Sequence, residues 1–468
     1  MLSYFTDFNS NLFLRKEKKC QKKFKNPRKL AWNLLCNLCA KLIEFILNIV
    51  TSSQFLERHR TSQKAFTRNR LLPFATLIYF LINLNKGSIQ DELDHFFKAV
   101  NRSDVPERVV SKSAFTKARK KLKFNAFIDL NSQACRFFYD NFETENWKGF
   151  NLVAVDGSTG RVPDEEDVAE HFGQMHPKQG KPVPIARISQ MFDVSNGITI
   201  DAIISPKEFG ERELLSQHFV NLMHNDLVLL DRGYPAFWVF KLILSMRSNF
   251  CARVAHQNWD VTKKFYNSGK KEKIIDLKPS YPSIKKCKEI GINFSPMKLR
   301  LIRVELDTGE AEILITSLID RDKFPHDDFA ELYHCRWPVE EDYKVMKSRI
   351  EIENWSGKTV HSVYQDFHAK VFAKNLTTMM AHPAEKAIKL EYGERKYEYQ
   401  LNKTQALSKM KDVICLLFIR PAEVVKGLVT KLHEIFIKTV EPVRPGRKYP
   451  RIQKVQRKGF YPCYKPTR

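Results

Sequence analysis

Two aspartates each close an apolar run. Asp156 ends Asn151-Leu-Val-Ala-Val-Asp156 and leads into Gly-Ser-Thr; Asp231 ends Asp226-Leu-Val-Leu-Leu-Asp231 and leads into Arg-Gly-Tyr234. Taken singly, either carboxylate suits a turn cap. As a pair on adjacent strands they suit a metal site, because a carboxylate in a buried position needs a partner or a cation. A two-metal phosphoryl-transfer site needs a third carboxylate. Glu340 is the best supply, within Tyr333-His-Cys-Arg336-Trp-Pro-Val-Glu340-Glu-Asp-Tyr-Lys-Val-Met-Lys347. Glu340 and Lys347 are seven residues apart and share a helix face, with Arg336 and Tyr333 four and seven residues before Glu340. Glu341 and Asp342 are competing acids that point elsewhere. Alone, the segment reads equally as a solvated helix with a charge ladder. Pro338 disfavours helix at Trp337 and opens a helix of its own, which leaves Tyr333 and Arg336 on a preceding turn or helix.

The elements that must carry these residues follow from hydrophobic periodicity. Residues 31–149 read as helical: Phe74–Leu84 after Pro73, then a helix from Ser88 to Val100, then the basic stretch 111–123. After 149 the pattern turns to strands. Ile185–Val194 and Ile198–Ile204 flank Ser195-Asn196-Gly197, a strong hairpin signal. Glu211–Met223 reads as a helix, Asp226–Asp231 as a strand, Ala236–Met246 as a helix and Asn249–Val254 as a strand. This order makes an α/β chain with a ribonuclease-H-like core: three antiparallel strands, then a helical crossover to a parallel fourth strand beside the first. Asp156 and Asp231 would then meet at their C-terminal ends. The expected organisation is a basic helical DNA-binding region over 1–149, the catalytic core over 150–254 and 323–380, a β-rich insertion over 255–322 with a turn at Asp307-Thr308-Gly309, and a helical C-terminal region with a basic tail over 381–468.

The 468 residues suffice for two or three domains, and 43% hydrophobic content excludes a mostly disordered chain. The net charge of +25 points to a polyanion: DNA, RNA or an anionic membrane surface. Residues 1–30 carry +7 and residues 441–468 carry +8 of it, and Phe460, Tyr461 and Tyr464 interleave with Arg457, Lys458 and Lys465. Within 111–123, Lys112, Lys117, Arg119, Lys120, Lys121 and Lys123 have no acidic relief, and the helix–turn–basic-helix order fits DNA. A solvated helix with Phe115 and Leu122 inward is the plainer reading. Nine scattered cysteines suggest a reducing compartment, and the lone Cys36-x-x-Cys39 lacks the further ligands of a zinc site. No secretory signal is expected. Trp32–Val50 contains Asn33, Asn37, Lys41, Glu44 and Asn48, so it reads as an amphipathic or buried helix rather than a membrane span.

Tyr-x2-Arg-x3-Glu-x6-Lys, met at Tyr333, Arg336, Glu340 and Lys347, resembles the signature of the IS-four family of bacterial DDE transposases. Asp156-Gly-Ser-Thr and Leu230-Asp231-Arg-Gly-Tyr234 resemble that family's two aspartate motifs, and the likeness spans roughly 70 to 450. The resemblance implies cut-and-paste transposition in the bacterial cytoplasm, at the nucleoid. Asp156, Asp231 and Glu340 would hold two Mg²⁺ ions, with Mn²⁺ as a possible substitute. Hydrolysis at the element's end would free a 3′-OH, which attacks the opposite strand to form a hairpin and later joins target DNA. Arg336, Lys347 and Tyr333 would hold phosphates near the cut. The implied partner is double-stranded DNA, both element ends and target, bound by a homodimer with no membrane involved. Val413–Ile419 and Val424–Ile437 would serve either as the pairing surface or as core. Trp259, the tryptophan of the insertion, would stack a flipped base or simply pack in the core. His171 and His176 read as polar loop residues. A nuclease of the same fold, a regulator derived from a transposase and a membrane-surface protein are the rival readings.

Overall fold

The computed structural model describes residues 27–444 and Lys465, apart from 69, 178, 179, 307, 308 and 412, with side chains from residue 36 onward. Nearly all of the two basic tails, with Phe460, Tyr461 and Tyr464, and most of the 307–309 turn therefore lie outside the described residues.

The core is built outward from strand β1 (Asn151–Arg161). A two-residue β2 (Gln174–Met175) precedes β3 (Val183–Asp193), which pairs antiparallel with β1 from Val153↔Asp193 to Arg161↔Ile185. The Asn-Gly signal makes the expected hairpin into β4 (Ile198–Ser205): Asp193 accepts from the amides of Ser195 and Asn196, and Gly197 takes a positive φ of 70°. On the other side of β1, β5 (Asp226–Leu230) runs parallel, reached through the helix Glu211–His218. A helix Phe237–Ser245 leads to β6 (Asn249–Val254), parallel to β5. The order β4-β3-β1-β5-β6 is the ribonuclease-H-like arrangement.

The stretch after 254 holds β7 (Glu272–Leu277), β8 (Met297–Glu305) and β9 (Ala311–Thr316), with two intervening helices, Asp260–Asn267 and Tyr281–Glu289. It does not stand apart from the core. β9 pairs antiparallel with β6, so the strands of this stretch continue the central sheet.

Alternation along the strands assigns the two faces. Leu152 and Ala154 of β1 and Leu227 and Leu229 of β5 join the core that includes Tyr333, Val339, Tyr343 and Met346. Val153, Val155, Val228 and Leu230 join the opposite core, under the helices Glu211–His218 and Phe237–Ser245. With a period of two, Asp156 and Asp231 continue the first set.

The long helix Val360–Tyr392 connects this sheet to the rest. Val363, Phe367 and Val371 pack on the sheet side, whereas Phe372, Leu376, Met379 and Met380 belong to a third core. That core contains Cys39, Ile43 and Ile46 of the helix Pro27–Thr51 together with Ile414, Val429 and Phe436 from the helices Val413–Ile419 and Ala422–Lys438. Both C-terminal segments thus contribute buried faces to the core. Cys36 lies 3.1 Å from His433 Nδ1, and the Cys39 thiol is directed at the carbonyls of Met379 and Met380. Among the described residues no single helix is long and apolar enough to cross a membrane.

One basic residue departs from expectation. In the helix Lys112–Arg119, Lys112 and Lys117 are exposed, as is Lys120 just beyond it, but Arg119 is only 4% exposed. It lies four residues after Phe115 and so shares that residue's inward face. Its guanidinium donates to Gln365 Oε1, Ser356 Oγ and Asp366 Oδ1 at 2.8–2.9 Å. Arg119 is therefore a structural clamp on the long helix, not a surface cation for DNA. Arg119→Ala should cost roughly 3–5 kcal/mol in urea unfolding because it strands a buried carboxylate. Lys117→Ala should stay within about 0.5 kcal/mol. Equally small losses for both would contradict the buried pair.

Candidate active site

Where β5 stops, β1 continues. Val155↔Leu230 is the last parallel pair, so Asp156 and Asp231 follow side by side. The sequence reading put Asp156 at a strand terminus; instead β1 runs on to Arg161, still paired to β3. What ends at Asp156 is the partner strand, and that opens a gap beside β1.

The third acid arrives on a helix packed against this gap. Tyr333 lies on the helix Asp328–His334, Arg336 in the following turn, and Glu340 and Lys347 on the helix Pro338–Ser348. The break at Pro338 removes the single straight face, yet the four side chains converge. Tyr333 donates its hydroxyl to Asp231 Oδ1 at 3.3 Å, Arg336 Nη2 donates to Glu340 Oε1 at 2.6 Å, and Lys347 Nζ donates to Ser158 Oγ at 2.6 Å. Glu341 turns outward to Lys344.

Further residues hold this helix, and the sequence reading missed their roles. Tyr343 donates its hydroxyl to the backbone carbonyl of Asp156 at 2.8 Å. Asp342 is buried and accepts from Gln190 at 2.7 Å and from Lys374 at 2.6 Å. Gln190 stands opposite Asp156 in the β1–β3 register, so the pair ties the Glu340 helix to the strand neighbouring the first acid. An aspartate next to a tyrosine on one helix, Asp342-Tyr343, gave no signal of this kind. Only the turn-by-turn spacing of Val339, Tyr343 and Met346 hinted at an inward face.

Electrostatics support a cation among these acids. The Asp156 carboxyl is pushed up to about 6, chiefly by burial, with Glu340 and Asp231 adding to the rise; the Gly157 amide and Arg336 oppose it. Carboxylate oxygens are suitable ligands for a hard divalent cation, whose charge would relieve this crowding. Among the described residues no three His, Cys, Asp or Glu side chains yet converge as a metal-ligand set, and Glu340 turns to Arg336 instead. Burial also lowers the Lys347 ammonium, with Glu353 opposing.

The remaining residues fall elsewhere. Lys117 and Lys121 line a cleft of about 980 Å³ together with Lys64, Arg68, Arg70 and Arg108, over an apolar floor that includes Phe66, Leu72 and Val110. The lining contains no acid, and Lys112 and Lys120 lie outside it. The cations from residues 64–70 were not anticipated, since that loop is distant in sequence from the basic helix. Trp259 is half-buried and packs near Phe240, with ring centroids 6.1 Å apart. His171 is exposed and bonds to the Tyr364 hydroxyl, and His176 is exposed. A Ser189–His218–Asp201 chain, with contacts of 2.9 and 2.7 Å, has its serine and histidine fully buried, so it ties β3 to β4 without access to a substrate.

The raised carboxyl of Asp156 has a consequence for stability. Its folded value of about 6 exceeds its ordinary value of 3.8, so the fold is favoured by the protonated form and penalised as pH rises from about 4 past 6. In EDTA at pH 8, Asp156→Asn should stabilise the protein by roughly 1–3 kcal/mol, and the gain should vanish toward pH 4. A loss of stability at pH 8 would mean that the carboxylate is paired rather than crowded.

Comparison with known proteins agrees with this geometry. A family model described as a transposase DDE domain matches residues 147–376. The transposase InsG for insertion sequence element IS4, from Escherichia coli (strain K12), is 23% identical over 323 residues, 66% of this chain and 70% of that protein. The putative transposase InsZ of the same strain is 22% identical over 198 residues, 41% of this chain and 63% of that protein. Among solved structures, a piggyBac transposase synaptic complex with hairpin DNA aligns over 88% of this chain and 87% of that one, at 14% identity and a TM-score of 0.40. Residues 147–376 thus match a transposase DDE domain, and over 66% of its length the chain is similar to an IS4 transposase; together these matches support an IS4-type DDE transposase, a kind of enzyme that cuts and transfers DNA strands with a divalent cation.

Proposed function

We propose that this transposase frees its element by cutting DNA at the terminal repeats, with Asp156, Asp231 and Glu340 as the catalytic carboxylates. The observation that carries this reading is that Asp231 and Glu340 lie near enough to Asp156, at the gap beside β1, to raise its carboxyl, with Tyr333 bonded to Asp231, Arg336 to Glu340 and Lys347 to Ser158. The three carboxylates would hold two divalent ions, Mg²⁺ or in its place Mn²⁺. When bound, the ions supply charge neutralisation at the scissile phosphate and an acidified water.

The protein's own groups do the rest. Water adds to phosphorus, the bond to the 3′ oxygen breaks, and a 3′-OH and a 5′-phosphate are left. Arg336 gives up Glu340 and presents its planar fork to a phosphate, while Lys347 adds a point charge. Tyr333 holds Asp231 in orientation. The cleft bearing Lys117 and Lys121 binds the DNA backbone at a distance from the chemistry, where concave walls and unrelieved positive charge favour a polyanion. Lys112 and Lys120, exposed beside it, would add further phosphate contacts. Two copies of the chain join two element ends, as strand transfer at both ends requires.

Cleavage of labelled DNA bearing the element's own ends tests the assignment. Mg²⁺ should support nicking at the boundary and EDTA should stop it. Glu340→Gln should lower the rate by on the order of 100-fold or more while DNA affinity changes by about threefold at most. Boundary nicking that survives in Glu340→Gln would remove Glu340 from the site. For the cleft, Lys117→Ala and Lys121→Ala should each weaken binding to any sequence and reduce the slope of log K against log salt by about 1. Unchanged slopes would place the DNA elsewhere.

A further inference from the structure

Three buried tyrosines bear on the acids, Tyr333 and Tyr343 from the core that the acids face and Tyr234 from the opposite core, and their hydroxyls are not equivalent. Tyr333 donates to Asp231 and Tyr343 to the carbonyl of Asp156. Tyr234, three residues after Asp231, is 2% exposed, and its hydroxyl finds no hydrogen-bond partner among the described residues. Its amide closes the Asp231–Tyr234 turn at 3.1 Å, which fixes where the ring enters the core. The hydroxyl lies against β1: a Cβ added to Gly157 would sit 3.4 Å from it. The hydroxyl thus sits beside the residue that follows Asp156.

The charged groups that bear on this phenol are Asp156, Glu211 and Asp231, with Arg187 opposing them. Burial and the three carboxylates keep it protonated, so it is a donor. A buried donor without an acceptor costs stability. The carboxylates that bear on it do not accept from it. The acids themselves are not gathered into a metal-ligand set, because Glu340 faces Arg336. The unused donor and the ungathered acids lie in the same part of the fold.

We propose that Tyr234 is a positioning residue, whose hydroxyl donates to the outer oxygen of the Asp156 carboxylate when that carboxylate turns to bind a divalent cation. Ligating carboxylates are ordinarily oriented by such a hydrogen bond. The inference rests on the catalytic assignment above and adds to it the residue that sets the first acid.

Tyr234→Phe deletes one oxygen and keeps the ring. In EDTA the variant should melt about 1–3 °C higher than wild type, because an unpartnered buried hydroxyl is removed. Mn²⁺ binding without DNA, followed by electron paramagnetic resonance of the free ion, should weaken by about 10-fold. A tyrosine that only fills the core would give the same rise in melting temperature with unchanged Mn²⁺ affinity, so the affinity decides between the two. Affinity within twofold of wild type overturns the proposal. Asp156→Asn, run alongside, separates the two levels: loss of Mn²⁺ binding in that variant upholds the metal site even if Tyr234→Phe binds normally. If wild type itself binds no Mn²⁺, both fall.

Discussion

Val155 of β1 stands opposite Leu230 of β5 in a parallel pair, and the site depends on that register more than on any other contact. Strand alternation sends Leu152, Ala154 and then Asp156 to one face, and Leu227, Leu229 and then Asp231 to the same face. A slip of one residue would turn one acid toward the opposite core. The apolar residues on both faces therefore do more than stabilise the sheet. They fix which way two carboxylates point.

Bringing carboxylates together is unfavourable, and the rest of the site is built to withstand it. Asp156 is held near 6 by burial and by its acidic neighbours. Arg336 offsets part of that charge through Glu340. The helix that carries Glu340 is then fastened at two points independent of the acids, by Tyr343 on the Asp156 carbonyl and by the buried Gln190–Asp342–Lys374 chain. Lys374 comes from the long helix Val360–Tyr392, whose farther end is packed by helices from both ends of the described chain. Residues far from the acids in sequence thus bear on the position of Glu340. Arg119, by clamping that same long helix through Asp366, belongs to this framework as well.

The fold order was legible in the sequence because its signals are local: apolar runs of strand length, an Asn-Gly turn, and acids at the points where the runs stop. The acids and the Tyr-Arg-Glu-Lys spacing were legible for the same reason, and Pro338 correctly marked the start of a separate helix. What could not be read was long-range. Arg119 looks like its lysine neighbours until the inward face set by Phe115 and the partner Asp366 are known. The cations of residues 64–70 and those of 117–121 meet only through folding. The apolar runs on either side of the Asp307-Thr308-Gly309 turn signalled β8 and β9, but neither β7 nor the pairing with β6 that makes this stretch an edge of the central sheet was legible. Tyr234 read as part of a turn motif, and only burial without a partner sets it apart.

The most direct test of the central claim is to load Fe²⁺ in place of the native cation and generate hydroxyl radicals with ascorbate and peroxide, mapping the backbone cuts. If the three carboxylates hold one metal centre, cuts appear together near residues 156, 231 and 340, excess Mg²⁺ suppresses all three, and Asp156→Asn abolishes them as a set. Cuts confined to one of these segments, or a pattern that Asp156→Asn leaves unchanged, would contradict a shared site at the end of the β1–β5 pair.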